Sequence, residues 1–324
     1  MKIRQTTLIL LAALTLIASA TGDSLAAERK FPSKPIQVII PFQPGDTDNL
    51  LRPFLEKMPE FLGQPVTMVY KPGAAGATGA GFVVASKPDG YLLVGSSHSS
   101  IVVVPLTQKD VGYTWKSFAP VCSMADSSSL LVVQSGASWK TLKDLIEDSK
   151  KSPGKINYSS SGTFGSNHLI PEAMCAEAGI KWTYIPSQGS GPTITALLGG
   201  HVQVASTAIV PALPHLRSGA LRPLAVYRPT RMRALPDAPT LRELGFSIHS
   251  ASPYGILAPK GTPKEVVDVL YQAAKKAVEK YRDTIADRLD KLGAEIGFES
   301  PEEYTAHLEK QYELFSKIYK IVKK

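Results

Sequence analysis

The chain has 324 residues, 44% hydrophobic and 20% charged, with a formal net charge of +8 at pH 7. That composition excludes a disordered or low-complexity chain, and the length suits two cores rather than one. The basic residues are dispersed apart from the 317–324 run, so no nucleic-acid partner is expected. The positive excess reads as a mild field that steers anionic solutes, or only as an aid to solubility.

Lys2 and Arg4 precede an apolar run at 8–20, and Ser24-Leu25-Ala26 then fits the small-x-small pattern at which a secretory leader is cut. Residues 1–26 are therefore expected to be a signal peptide and the periplasm the destination. The run falls short of the ~20 residues that cross a bilayer. No Cys follows it, which disfavours a lipid anchor. An oxidising compartment permits a disulfide between Cys122 and Cys175. Cys122 falls on an apparent strand and Cys175 on an apparent helix, so free buried thiols are the expectation. Two cysteines without H-E-x-x-H give no metal site.

Beyond Phe31, short apolar runs alternate with helical patterns. Residues 36–42 (IQVIIPF) form a continuous apolar strand, as a parallel sheet buried on both faces requires. After the loop 43–48 (QPGDTD), Leu50, Leu51, Phe54, Leu55 and Met58 recur at helical spacing. Pro53 is assigned to the first turn, where amides lack helical partners. Strand 66–70, a glycine-rich stretch at 72–81 opening a helix to about Ser86, a turn at 88–90 and strand 91–95 complete a βαβαβ unit. That order implies an open parallel sheet with right-handed crossovers.

Residues 121–125 lead into a second series that starts at 130–134. It continues with helix 139–151, strand 156–158, helix 168–178, strand 183–185, a helix around 194–198, and strands 202–206 and 222–227. Strand 252–258 and helices 263–280, 283–292 and 301–322 follow. The first of these helices starts at Thr262-Pro263-Lys264-Glu265, with Thr as N-cap and Pro at the first helical position. The late helices have no sheet of their own and are expected to return to the first lobe. The expected lobes are 27–125 with 252–324, and 126–251, joined by two crossings.

Three loops, 45–48, 96–100 and 159–167, lie at the ends of presumed parallel strands. Open α/β sheets bind ligands there. Gly admits close backbone approach, and the unpaired first amides of a following helix favour anions. The same residues also serve ordinary turns and caps. No catalytic motif is complete. Gly95-Ser96-Ser97-His98-Ser99 lacks the closing Gly of G-x-S-x-G, and neighbours such as Ser97 and His98 on an extended strand face opposite ways. The glycines at 73–81 complete no nucleotide loop, and Asp46-x-Asp48 lacks the later Gly and Glu of an EF-hand. His168 reads as a cap or packing residue. No cofactor and no enzyme activity are expected.

FPSKPI at 31–36, PF at 41–42 before the Gly-Asp-Thr-Asp loop, LGQPV at 62–66, KPGAAG at 71–76 and KPDGY at 87–91 form an ordered series. NYSSSG at 157–162, LLGG at 197–200, ALPDAPT at 234–240 and LAPKGTP at 257–263 extend it. In that order and spacing, the chain resembles the substrate-binding receptors of tripartite tricarboxylate transporters, the Bug-type periplasmic proteins. The resemblance covers the whole mature chain. It implies a type II periplasmic-binding-protein fold, two doubly wound α/β lobes joined by two crossover strands. It also implies a monomer that hands a small carboxylate to membrane permease subunits.

In such receptors backbone amides and ordered waters hold the ligand carboxylate. Carried over, the first-lobe contacts fall at Phe42, Thr47 and Asp48, with Ser96 and Ser97 beside them. The second-lobe contacts fall at Ser160, Ser161, Thr163, Gly165, Ser166 and Asn167, and the region of Thr207 helps select the distal end of the ligand. The chain departs from the family in its first loop, which is one residue short and carries an added carboxylate, Asp46. That charge is unfavourable beside a carboxylate unless Asp46 faces solvent or meets a ligand amine. The acidic residue common near Ser206-Thr207 is absent, which disfavours amino acids as ligands. Phe164 either stacks on an aromatic ligand or packs between lobes. A sensor that presents its closed form to a kinase is the alternative to transport, and neighbouring genes distinguish the two. A periplasmic hydrolase is a third reading, disfavoured by the missing elbow.

Overall fold

The computed structural model describes residues 30–323. The leader expected at 1–26 lies outside them. Two sheets hold the strands, and their plans match.

In the first sheet, β1 (Ile36–Ile40) lies between β2 (Val66–Tyr70) and β3 (Leu92–Ser97), parallel to both. β10 (Ser252–Pro259) follows, antiparallel to β3 and to β4 (Phe118–Ser127), and β11 (Glu295–Glu299) closes the edge beyond β4. In the second sheet, β6 (Asn157–Ser160) runs parallel to β7 (Thr183–Pro186) and β8 (Val204–Ala208). β5 (Ser129–Gln134) then lies antiparallel between β8 and β9 (Leu221–Val226). In both sheets the antiparallel strand in the interior, β10 or β5, is the first one laid down after the chain crosses from the other sheet; β11 is a second reversed strand at the edge of the first sheet. Only Ser128 separates β4 from β5, and Ser252 on β10 is in register with Ser127 on β4. The two crossings thus lie side by side.

Helices connect the parallel strands, as the right-handed crossover demands. They are α1 (Thr47–Leu55), α2 (Pro59–Leu62), α3 (Ala77–Val84), α4 (Val104–Thr107), α5 (Leu142–Lys151), α6 (Ser166–Ala178), α7 (Ser190–Leu198) and α8 (Ile209–Arg217). α9 (Lys264–Lys291) and α10 (Pro301–Val322) end the chain. The first core sets Ile39, Val94 and Leu257 against Ala80, Val83 and Tyr304. The second sets Leu131, Tyr158 and Val204 against Leu145, Leu169 and Trp182. α5 begins with a reciprocal cap in which Thr141 accepts from the Asp144 amide and Asp144 from the Thr141 amide.

Several local expectations shift. Pro53 lies near the end of α1, not in its first turn, and the helix stops two residues later at Leu55, before Met58. β3 runs directly into a π turn over Ser99–Val103 and then α4, so 96–100 is not a free loop. α6 begins two residues earlier than its periodicity indicates, and this puts Ser166 and Asn167 in its first turn. α8 was hidden by Pro211 and Pro214. α9 is one helix with a kink at Tyr281 (φ −115°, ψ 22°) instead of two. It starts at Lys264, and Thr262 donates its hydroxyl to the Pro259 carbonyl instead of capping (2.8 Å).

The last helix is the larger departure. Tyr304 and Leu308 of α10 belong to the first core, whereas Phe315 and Ile318 belong to the second. The preceding strand β11, missed in the sequence, joins the first sheet. Cys122 and Cys175 are both free and buried.

Gly255 on β10 is the tightest point of the first sheet. A Cβ there would sit 2.3 Å from the Cys122 carbonyl oxygen and 2.9 Å from the Tyr304 ring. Gly255→Ala is expected to cost about 1–3 kcal/mol through overpacking, a drop of several degrees in a thermal melt. A melting temperature unchanged within about one degree would show that the β4–β10 pairing yields without strain.

Candidate functional site

A cleft separates the two sheets' C-terminal loops, and it has an outer and an inner part. The outer part is a cavity of about 370 Å³ between Phe42 and the 72–76 turn on one side and Ser161, Thr163, Phe164 and 186–188 on the other. The inner part, of about 30 Å³, has room for only a few heavy atoms. Phe42 and Ser161 line both.

The inner chamber is built from three helix starts. Asp46 and Thr47 stand at the N-terminus of α1, Ser166 and Asn167 at that of α6, and Gly189, Ser190 and Gly191 at that of α7. The first amides of each helix have no helical partner, and the helix dipoles add partial positive charge at the same ends. Asn167 donates to the Ser161 hydroxyl at 2.8 Å, and this fixes its side chain within the chamber wall. Its Oδ1, Thr47 Oγ1 and Asp46 Oδ1 are buried without a hydrogen-bond partner. Buried polar atoms are seldom left so. Three of them around one chamber, beside converging helix starts, make a site for a small group that accepts from amides and hydroxyls and bonds these atoms in turn.

The neighbouring walls hold the sequence-predicted residues in different ways. Phe42, Thr47, Ser97, Ser161, Ser166 and Asn167 line the inner chamber, and Thr163 lines the outer cavity. Asp48 does not face the cleft. Its carboxylate accepts from the Gly45 amide (2.8 Å) and the Tyr70 hydroxyl (2.9 Å), with Arg52 at 3.5 Å, so it braces the loop. Ser96 is buried against Ser100 (2.6 Å between hydroxyls). Ser160 donates to the Gly162 carbonyl at 3.3 Å, behind the wall. Thr207 lies fully buried on β8, with its hydroxyl turned to the Ala208 carbonyl. Gly165 serves the approach of the lobes, since a Cβ there would meet Ser99 Oγ at 2.9 Å.

Sequence reasoning missed Ser99, Ser129, Ser190, Ser252 and Tyr254 as chamber residues. Ser129 and Ser252 stand at the crossings, and Tyr254 enters from a strand more than 200 positions away from Asp46, so no local signal marks them. The Gln188-Gly189-Ser190-Gly191 loop had the same Ser/Gly composition as the chosen three and was the one readable omission.

Asp46 neither caps α1 nor faces solvent. Its Oδ2 accepts from the Tyr254 hydroxyl at 3.1 Å. Burial of the carboxyl pushes its pKa up to about 7, opposed by the tyrosine hydrogen bond and supported by the nearby Asp48 charge. His98 is turned away from Ser97. It is fully buried, stacks on Phe315 with ring centres 5.2 Å apart, and burial holds its pKa down at about 3. The adjacent Ser and His therefore form no catalytic pair.

The lobes touch across the cleft. The Ser166 amide donates to Ser99 Oγ (3.2 Å), Thr107 Oγ1 to the Phe164 carbonyl (3.2 Å), and Gln108 Nε2 to the Thr163 carbonyl (3.4 Å). Phe164 adopts a left-handed backbone (φ 64°), and its amide donates to His168 Nδ1 (2.9 Å). Its ring is exposed at the cavity rim, so it is not packed between the lobes. His168 is a packing residue, 4.1 Å from the Tyr184 ring centre.

Two α/β lobes hung on paired crossing strands, with a polar cleft at the strand ends, define a periplasmic-binding-protein fold. The model of the tripartite tricarboxylate transporter family receptor matches residues 50–322, and the chain belongs to that family. Protein BugT of Bordetella pertussis is 33% identical over 267 residues, 81% of this chain and 82% of that one. A Rhodopseudomonas palustris protein solved with adipate superposes with a TM-score of 0.83 at 28% identity, over 90% of this chain and 98% of that one. MatC from Rhodopseudomonas palustris, solved with bound malate, gives 0.83 at 25% identity, over 89% and 99%. The family and these neighbours are solute-binding receptors, not enzymes.

Gly162 lies against the facing lobe. Its φ is 155°, and a Cβ added there would lie 2.8 Å from that of Ala75 on the facing lobe. Gly162→Val is expected to hold the lobes apart, giving a larger radius of gyration in small-angle scattering than the wild type. An equal radius in both would show that this contact does not limit closure.

Proposed function

We propose that the protein is a monomeric periplasmic receptor that closes on a small carboxylate and delivers it to a tripartite tricarboxylate-type permease. The observation that carries this reading is the meeting of three helix N-termini with the unpartnered Thr47 hydroxyl in one chamber. A carboxylate has the size for that chamber and accepts from unpaired helix amides. The malate and adipate held by structural neighbours support the same ligand class. The rest of the ligand extends into the outer cavity past Thr163 and Phe164.

Phe42, Thr47, Ser97, Ser161, Ser166 and Asn167 are the contacting residues in this reading. Asp48, Ser96, Ser160, Gly165 and Thr207 act behind them, bracing the loops. The rigid bodies of closure are 34–125 with 252–323, and 126–251, with the last turns of α10 riding on the second. Ligand favours the closed arrangement because only there do both sets of helix starts reach it. The leader at 1–26 directs the chain to the periplasm and is removed.

A thermal-shift screen of dicarboxylates, aromatic acids and amino acids tests the reading. A true ligand at a hundred times its Kd is expected to add about 2.7 kcal/mol of stability. Ser161→Trp fills the junction of the two cavities. It is expected to abolish that gain while leaving the unliganded melt close to wild type. Undiminished affinity of the variant by calorimetry would refute the site.

A further inference from the structure

The charge inventory of the cleft is unusual for an anion site. Among the described residues, no Lys, Arg or His lines either part of it, and its single ionisable carboxyl is Asp46. A bound carboxylate therefore meets a second carboxyl and no cation. Helix amides offset one buried negative charge but not two at contact distance.

The surroundings of Asp46 supply no counter-charge either. On α1 the nearest charged groups are Asp48 and Arg52, and Arg52 is directed to Asp48 at 3.5 Å. From β2, Tyr70 also serves Asp48. β10 contributes Tyr254, whose hydroxyl donates to Asp46 Oδ2, and β3 contributes the neutral Ser97. Across the cleft, β5, α6 and α7 present Ser129, Asn167 and Ser190, all uncharged. The other carboxyl oxygen, Oδ1, is buried, unpartnered and borders the chamber.

We propose that Asp46 is a specificity-determining residue that binds the ligand carboxylate through a shared proton, so that the receptor takes up a fully anionic carboxylate together with one proton. The neutral acid donates from Oδ1 to a ligand oxygen, while Tyr254 holds Oδ2. No bond other than hydrogen bonds forms; the proton comes from solvent. The selected class is then carboxylates without an adjacent ammonium group, since an ammonium requires the ionised form of Asp46. Burial already raises the pKa of this group to about 7, within reach of neutral solution. The proposal rests on the receptor reading above and adds the proton to it.

Calorimetry in two buffers of different ionisation enthalpy, from pH 6 to pH 9, tests it with malate, succinate, adipate and benzoate. From pH 7 upward these acids are almost fully ionised, so proton uptake is read there, and His98 does not titrate in the range. At pH 8 the wild type is expected to take up close to one proton per carboxylate bound. Affinity should fall about a hundred-fold between pH 6 and pH 9, as the free Asp46 loses its proton. Asp46→Asn should bind without proton uptake and with a flat pH profile. Tyr254→Phe removes the hydrogen bond that favours the ionised form, so its fall in affinity should move to higher pH. Carboxylate binding without proton uptake in the wild type overturns the proposal. So does a preference for amino acids that Asp46→Asn abolishes, for then the ionised form pairs with an ammonium. Failure of every carboxylate to bind at any pH defeats the receptor reading itself.

Discussion

The molecule depends on the pairing of β4 with β10. These strands run antiparallel, and each meets a crossing between the sheets at the same end, where Ser127 faces Ser252. All eight residues of β10 are buried. A side chain at Gly255 has no room beside the Cys122 carbonyl. The ladder is therefore stiff, while the single residue Ser128 between β4 and β5 is not restrained by it. Rigid sheets on a short shared join turn a small change at the join into a large one at the cleft. The join also places Ser129 and Ser252 in the floor of the inner chamber. The join between the sheets and the inner chamber thus share residues.

Apart from the Asp46 carboxyl, the described lining of the cleft offers backbone, amide and hydroxyl groups and no charged side chain. Serines, an asparagine and glycines at helix starts surround the inner chamber, and their donors are fixed before any ligand arrives. Among the described residues the chamber has no Lys, Arg or His, and its walls come from both lobes. Gly162 and Gly165 permit their approach because a Cβ at either would strike the opposite lobe. The cross-lobe bonds of Ser99, Thr107 and Gln108 then hold it.

Most of the fold was legible in the sequence because buried strands carry short apolar runs, as residues 38–40 of β1 and 130–133 of β5 do. The failures have physical causes. Pro211 and Pro214 obscured α8, where loss of amide donors is tolerated near a helix start and is offset elsewhere by packing. β11 contains Gly297 and two glutamates, so its strand character comes from pairing with β4 and not from its composition. In the site, loop composition located Ser161, Ser166 and Asn167 but could not tell lining from support. Asp48 has the residue type of a contact and the geometry of a brace. Tyr254 became visible only when the second crossing brought β10 beside β3.

The last helix carries a mechanical consequence. Its early turns are anchored in one core through Tyr304 and Leu308, its late turns in the other through Phe315 and Ile318. Exposing the last pair costs roughly 3–6 kcal/mol at about 1.5–3 kcal/mol per side chain. The last helix therefore ties the two cores together along α6, and any rotation of one lobe against the other meets that helix first.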